Sequence, residues 1–242
     1  MSSFCKIEFG IRQGTVLSQH FFSIYINDIV SRFNINQRLF IVLYADDILL
    51  IAPSLTELQL LFHLCQLELA WLDMSINTKK SCCMRIGNRF DIDCANITSL
   101  DGTSLPWVRE LRYLGVFLIS SRKFKCSLDY AKRAFYRAAN AIFGKVARAA
   151  SEEVVLHLVK SKCYPVLLYG LEACMLNKDD LRSINFTATR FFMKLFRTSN
   201  SLVIADCQTF FGIESPSVRL EILTCKFVVR YKSSDNNMCK LF

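Results

Sequence analysis

Two carboxylates, Asp46 and Asp47, stand side by side inside the apolar stretch Arg38 to Ala52. The runs on either side, Leu-Phe-Ile-Val-Leu and Ile-Leu-Leu-Ile-Ala, read as two strands that meet at the acidic pair. Adjacent charges inside an apolar hairpin are costly unless something neutralises them. A divalent cation is the simplest partner, because Mg²⁺ takes one or two carboxylates together with phosphate oxygens and water. A solvent-exposed Asp-Asp turn is the competing reading. The flanking strands, the Tyr44-Ala45 lead-in and the lack of a turn-forming Gly or Asn weigh against it.

The same stretch is too short, and too charged at its middle, to cross a membrane as a helix. The 242 residues suit one large domain or two small ones. An apolar content of 52% with 20 Phe excludes a disordered chain, and 8 Gly with 4 Pro exclude a fibrous one. The first ten residues contain neither an apolar signal core nor an Arg-rich presequence, so no targeting signal is visible. Eleven cysteines, an odd number, include no CxxC pair, and the three His lie far from any Cys cluster, which argues against zinc. The expectation is free, mostly buried thiols in an intracellular, reducing compartment, cytoplasm or nucleus.

Net charge is +9, and it is not evenly spread. Residues 1–122 hold 11 basic and 11 acidic side chains, whereas residues 123–242 hold 19 and 10. The boundary near residue 122 has no Pro/Gly/Ser-rich linker, so two closely packed parts are expected, 1–122 and 123–242. A basic excess confined to one part points to an acidic partner such as nucleic acid.

Periodicity assigns mixed α and β to the first part and all helix to the second, an α+β fold. Apolar positions from Leu17 to Phe33 recur at helical spacing. Ser54-Leu-Thr-Glu57 is a capping box that opens an amphipathic helix through Leu58, Leu61, Leu64, Cys65, Leu69 and Leu72. Short strands are expected at Cys82–Ile86 and Tyr113–Ile119, with a hairpin turn at Asp101-Gly102 between them. From Phe124 an apolar stripe runs through Leu128, Ala131, Phe135, Ala138, Ile142, Val146 and Ala149, with Arg133, Arg137, Lys145 and Arg148 on the opposite face. Ser151 caps the next helix, and further helices are expected from Asp179 to Arg197 and from Pro216 to Lys232.

Arg12-Gln-Gly-Thr-Val-Leu-Ser18 before a helix, Tyr44-Ala-Asp-Asp47 on a hairpin, Asn77-Thr-Lys-Lys-Ser81 after a helix, and Tyr113-Leu-Gly115 before a helical region follow one another in order. This series resembles four successive motifs of reverse transcriptases, in the order and spacing of the non-LTR retrotransposon branch. The second part resembles that branch's continuation, especially in AKRAFYRAANAIFGK, SKCYPVLLYGLEAC and RFFMKLFRTSN. The resemblance implies a partial polymerase palm, an antiparallel hairpin sheet with packed helices, followed by a helical thumb and C-terminal extension. It implies RNA-directed DNA polymerase chemistry on an RNA template, a DNA primer and deoxynucleoside triphosphates, with no membrane partner.

Residue by residue, Asp46 and Asp47 take the positions that hold two Mg²⁺, or Mn²⁺, for in-line phosphoryl displacement. Arg12, Gln13, Gly14, Tyr44 and Ala45 fall where the family lines the incoming nucleotide and template. Lys80 matches a proton donor to pyrophosphate, although a Lys-Lys pair is equally a solvated turn. Tyr113, Leu114 and Gly115 match the hairpin that grips the primer end, with Leu114 expected in the core. Arg133, Arg137, Lys145 and Arg148 suit the nucleic-acid backbone. Asp28 is read as a helix-end residue, and the His residues as core or surface side chains.

The chain departs from the pattern at Gln19, where the family usually has Pro, and upstream of Arg12. There the resemblance calls for a third carboxylate on a separate strand, and Glu8 is the one acid present. The expectation is a fragment, truncated at its N-terminus, that does not polymerise DNA alone. The alternatives are a non-catalytic nucleic-acid-binding protein that uses the basic helical half, and a decayed reading frame without function.

Overall fold

The computed structural model describes residues 20–26, 39–146, 149–236 and 239. Arg12, Gln13, Gly14, Gln19, Asp28 and Arg148 therefore lie outside the described residues. The chain separates into two compact units. One comprises Met1–Cys83 with Asp93–Trp107, the other Met84–Ile92 with Val108–Phe242.

In the first unit, residues 20–26 are helical (α1). Strands β1 (Phe40–Tyr44) and β2 (Asp47–Ile51) form an antiparallel hairpin in the register Phe40 opposite Ile51 through Tyr44 opposite Asp47. Strand alternation sends Leu43, Ile48 and Leu50 to one face, where they pack with Phe22 and Ile26 of α1 and with Cys65, Leu69 and Leu72. Helix α2 (Leu55–Trp71) starts at Ser54, whose Oγ accepts from Glu57 N at 3.2 Å and donates to the Glu57 carboxylate at 2.5 Å. The expected cap is present, with the glutamate answering the hydroxyl rather than the backbone. Leu61, Phe62, Cys65 and Leu69 are buried, whereas Leu64 is exposed.

A short hairpin, β3 (Ile97–Thr98) and β4 (Ser104–Leu105), turns through Asp101-Gly102 as expected. It joins α2 through side chains. Gln59 Nε2 donates to the Thr98 carbonyl at 2.6 Å and its Oε1 accepts from Thr98 N at 2.8 Å, so the amide serves β3 as a neighbouring strand would. Gln66, two turns on, bonds Ser99 Oγ and Leu100 N. The strand expected at Cys82–Ile86 is reduced to one bridge, Cys83 with Trp107, because the chain leaves the first unit after Cys83.

In the second unit, β5 (Glu110–Tyr113), β6 (Val116–Ile119) and β7 (Lys125–Cys126) form an antiparallel sheet in that order. The single strand expected over Tyr113–Ile119 is thus a hairpin, since Leu114 and Gly115 both take positive φ, +46° and +86°. That pair of values defines the two-residue turn whose twist suits a hairpin. The expected helical start at Phe124 is also corrected. Phe124 is exposed, the chain extends through β7, and α3 spans Leu128–Val146, leaving Ala149 outside it.

Helix α4 (Glu152–Leu158), a π-helical turn (Val159–Cys163) and α5 (Tyr164–Leu168) run on without a break. Pro165 supplies no N–H to the preceding turn, and a widened turn is a common accommodation of such a gap. Ser151 stands at the N-cap of α4, but its hydroxyl makes no capping bond. A short 3₁₀ turn (Leu171–Ala173) leads to α6 (Lys178–Leu195), α7 (Ser201–Phe210) and α8 (Pro216–Lys232). The sequence reading places α6 and α8 closely and omits α7, whose sequence lacks a clear amphipathic period. Phe135, Leu167, Ile184 and Phe192 are fully buried at the centre of one continuous core.

Cys126 and Cys174 are joined as a disulfide, Cα to Cα 6.5 Å apart, which corrects the reading of every cysteine as a free thiol. The two are 48 residues apart in sequence, so only packing of the 3₁₀ turn beside β7 brings them together. The other described cysteines are free, and Cys65, Cys83 and Cys163 are buried among them. No helix of the described residues is long and apolar enough to cross a membrane.

Candidate functional site

The β1–β2 hairpin brings four of the expected site residues together. Tyr44 and Asp47 close the strands, and Ala45 and Asp46 form the two-residue loop. The turn therefore sits one residue earlier than the acidic pair itself, which makes Asp47 the first residue of β2. Ala45 takes φ +51°, a conformation that costs an L-residue with a side chain about 1–2 kcal/mol. Asp47 lies on the face of the hairpin opposite Leu43, Ile48 and Leu50, while Asp46 projects from the loop. Both are exposed, and Tyr44 beside them is 61% exposed.

Among the described residues, none donates a hydrogen bond to either carboxylate, and no Lys or Arg pairs with them. The pair thus offers hard-oxygen donors to solvent, with no counter-charge among the described residues. That donor set fits a share of a Mg²⁺ shell whose remaining ligands are water and phosphate. Among the described residues, no third His, Cys, Asp or Glu joins them in a metal-binding group.

Lys80, in the same unit, sits in a separate turn. Asn77 Oδ1 accepts from Lys80 N at 3.3 Å, and the Asn77 carbonyl accepts from Ser81 Oγ at 2.9 Å. This asparagine-built turn fixes the backbone and leaves Lys79 and Lys80 exposed.

In the second unit, Tyr113, Leu114 and Gly115 occupy the end of the β5–β6 hairpin. Leu114 is 38% exposed at its tip, so its expected place in the core is corrected; a turn residue with positive φ points its side chain away from the packed face. The tip is held by a segment the sequence reading did not single out as a support. Tyr169 Oη donates to the Leu114 carbonyl at 3.2 Å, and Gly170, at φ +71°, packs against Val116. Tyr169 and Gly170 lie in the YGLEAC string noticed for its resemblance, so the signal was visible and its structural meaning was not.

Arg133, Arg137 and Lys145 are exposed on α3, opposite the buried Phe135 and Ala139. The Arg133 Nε donates to the Asp129 carbonyl at 3.3 Å, and the Arg137 guanidinium lies 5.8 Å from the centre of the Tyr130 ring. Arg112, passed over in the sequence, stands opposite Phe117 in the sheet and 5.9 Å from the Tyr130 ring. Only the hairpin register reveals that position.

Comparison with known proteins bears on the first half of the chain. A search of curated proteins finds no match. The family model described as reverse transcriptase (RNA-dependent DNA polymerase) matches residues 2–118, just under half of the sequence. Over that stretch, which holds Asp46, Asp47, Lys80 and Tyr113 to Gly115, the chain is similar to reverse transcriptases; helices α3 to α8 lie beyond it.

Proposed function

We propose that the chain is a portion of an RNA-directed DNA polymerase of the non-LTR retrotransposon type, a partial palm followed by a helical thumb. One observation carries the reading: a tight hairpin presents Asp46 and Asp47 to solvent, with no neutralising group among the described residues. The similarity of residues 2–118 to reverse transcriptases supports it, because the hairpin falls within the matched stretch. RNA template, DNA primer and deoxynucleoside triphosphates are the partners that follow.

Asp46 and Asp47 would hold the divalent ions. When bound, such ions activate the primer 3′-hydroxyl and stabilise charge on the leaving pyrophosphate. Lys80 would give a proton from its Nζ to that pyrophosphate, in line with general-acid catalysis by a positioned side chain. The β5–β6 hairpin would seat the primer end, and Arg133, Arg137 and Lys145 would meet backbone phosphates.

The resemblance calls for a third carboxylate upstream of Arg12, and residues 1–11 offer Glu8 alone. The 242-residue chain by itself is therefore proposed to lack polymerase activity, since loss of a charge-stabilising ligand raises such a barrier by several kcal/mol. Two measurements test the proposal. Mn²⁺ binding in the presence of a deoxynucleoside triphosphate, followed by electron paramagnetic resonance, should fall sharply in Asp46→Asn and Asp47→Asn; equal binding by all three proteins removes the metal assignment. Primer extension by the purified chain should be absent. Robust template-dependent incorporation, abolished by Asp46→Ala, overturns the claim of inactivity.

A second reading, a non-catalytic nucleic-acid-binding protein, is favoured by the exposed basic face of α3. It predicts salt-dependent binding that falls when Arg133 and Arg137 are neutralised and that ignores Mg²⁺ and Asp46→Asn altogether.

A further inference from the structure

We propose that Arg112 and Arg137, both held against the ring of Tyr130, form a two-pronged phosphate clamp that extends the basic face of α3 onto the β5–β6 hairpin. The inference rests on the nucleic-acid reading above and adds Arg112 and Tyr130, which neither the motifs nor the charge pattern assigned, to the already expected Arg137.

The geometry starts in the sheet. Arg112 and Phe117 are directly opposite in the β5–β6 register, so their side chains share one face. Leu111, Tyr113, Val116 and Leu118 take the other face, and Val116 and Leu118 pack into the core. The first turn of α3 brings Tyr130 onto the Arg112 face, its ring 4.4 Å from that of Phe117. The Arg112 guanidinium then lies 5.9 Å from the centres of both rings. Arg137, two helical turns beyond Tyr130, returns to the same ring at 5.8 Å.

A guanidinium resting on a ring keeps its in-plane N–H groups available, and those groups match phosphate oxygens in a bidentate fork. Ring contact also restricts a long side chain before any ligand arrives, which lowers the ordering cost of binding. Both arginines are exposed. Neither has a carboxylate partner among the described residues: Asp129 pairs with Lys132, and Glu110, on the same strand face as Arg112, makes no ion pair with it. Two guanidiniums carried on one ring, without carboxylate partners among the described residues and continuous with the basic face of α3, suit the repeated phosphates of a nucleic-acid strand better than a single small anion. Tyr130 is the positioning residue, and Arg112 and Arg137 are the contacts.

The test measures affinity of the full chain for a fluorescent DNA primer annealed to an RNA template, across a series of salt concentrations. Arg112→Gln and Arg137→Gln should each weaken binding about tenfold and lower the slope of log affinity against log salt by about one, the signature of one lost phosphate contact. Tyr130→Leu should weaken binding about threefold to tenfold with its charges intact, and Tyr130→Phe should restore it, because Phe keeps the ring. Arg182→Gln, whose arginine is paired with Asp179 on α6, should change neither quantity. Wild-type affinity and slope in Arg112→Gln overturn the clamp while leaving the nucleic-acid reading intact. Absence of salt-dependent binding by the wild-type chain overturns both. Thermal melting of each variant separates misfolding from lost contact; an Arg112→Gln, Arg137→Gln or Tyr130→Leu variant that melts as wild type and also binds as wild type counts against the clamp.

Discussion

Tyr169 and Leu114 are 55 residues apart, and the phenol of one donates to the backbone carbonyl of the other at 3.2 Å. The bond closes a contact in which the tip of a hairpin rests on the turn after α5. Gly170 makes the approach possible, since a Cβ there would stand 2.5 Å from Val116 Cγ2, and its φ of +71° disfavours any side chain.

Gly170→Ala should therefore destabilise the chain by about 2–4 kcal/mol, combining positive-φ strain with overpacking. Urea unfolding measures it. Val116→Ala removes core packing of its own, so the overlap is read from the double-mutant cycle: Gly170→Ala should cost less in the Val116→Ala background than in the wild type, and equal costs in the two backgrounds would contradict this account.

The Cys126–Cys174 disulfide closes a loop of 48 residues and anchors the same turn to β7. Loop-closure entropy gives it a stabilising effect of about 4 kcal/mol. Reduction should lower the melting temperature of the wild-type chain, and Cys126→Ala/Cys174→Ala should melt at the reduced value with or without reductant. Peptide mapping without reductant should recover the linked pair.

Gln59 replaces a strand for β3, with two backbone bonds at 2.6 and 2.8 Å. Gln59→Leu leaves the half-buried Thr98 N–H without its partner, while His63 Nε2 stays 2.9 Å from the Thr98 carbonyl, so the change costs about 1–3 kcal/mol for the one group left unmade. Chemical denaturation should show the loss, and hydrogen exchange should place it at Thr98.

Burial pushes the thiols of Cys65, Cys83 and Cys163 up to about 11. Each is neutral below pH 9 in the folded chain, and its preference for the protonated form stabilises the fold there. Folded protein holds protons that unfolded protein releases between the usual thiol value and 11, so stability falls as pH rises through that window. At pH 8 these three should resist iodoacetamide while exposed Cys225 reacts, as read by mass spectrometry with and without urea. Rapid native labelling of Cys163 would contradict its burial.

Ala45 carries positive φ at the loop beside Asp46. Ala45→Gly should raise stability by about 0.5–1 kcal/mol, because glycine adopts that conformation without strain. Ala45→Val should lower it. Both are read from melting curves.

Local chemistry settled much of this protein before any packing was known. The apolar runs on either side of Asp46-Asp47 call for a hairpin, Ser54 and Glu57 for a helix start, and the 3.6-residue period read from Phe124, which the structure starts at Leu128, for an amphipathic helix with a basic back. Each of these is decided by neighbours within a few residues, so sequence carries it directly. What the tertiary structure decided involves partners far apart along the chain: Gln59 with Thr98, Cys126 with Cys174, Tyr169 with Leu114, Arg112 with Tyr130. Even the error at Tyr113–Ile119 has this origin. A leucine that adopts positive φ looks like strand in sequence, and only the twist of the paired strands, with a tyrosine and a glycine waiting beyond α5, makes the turn the lower-energy choice.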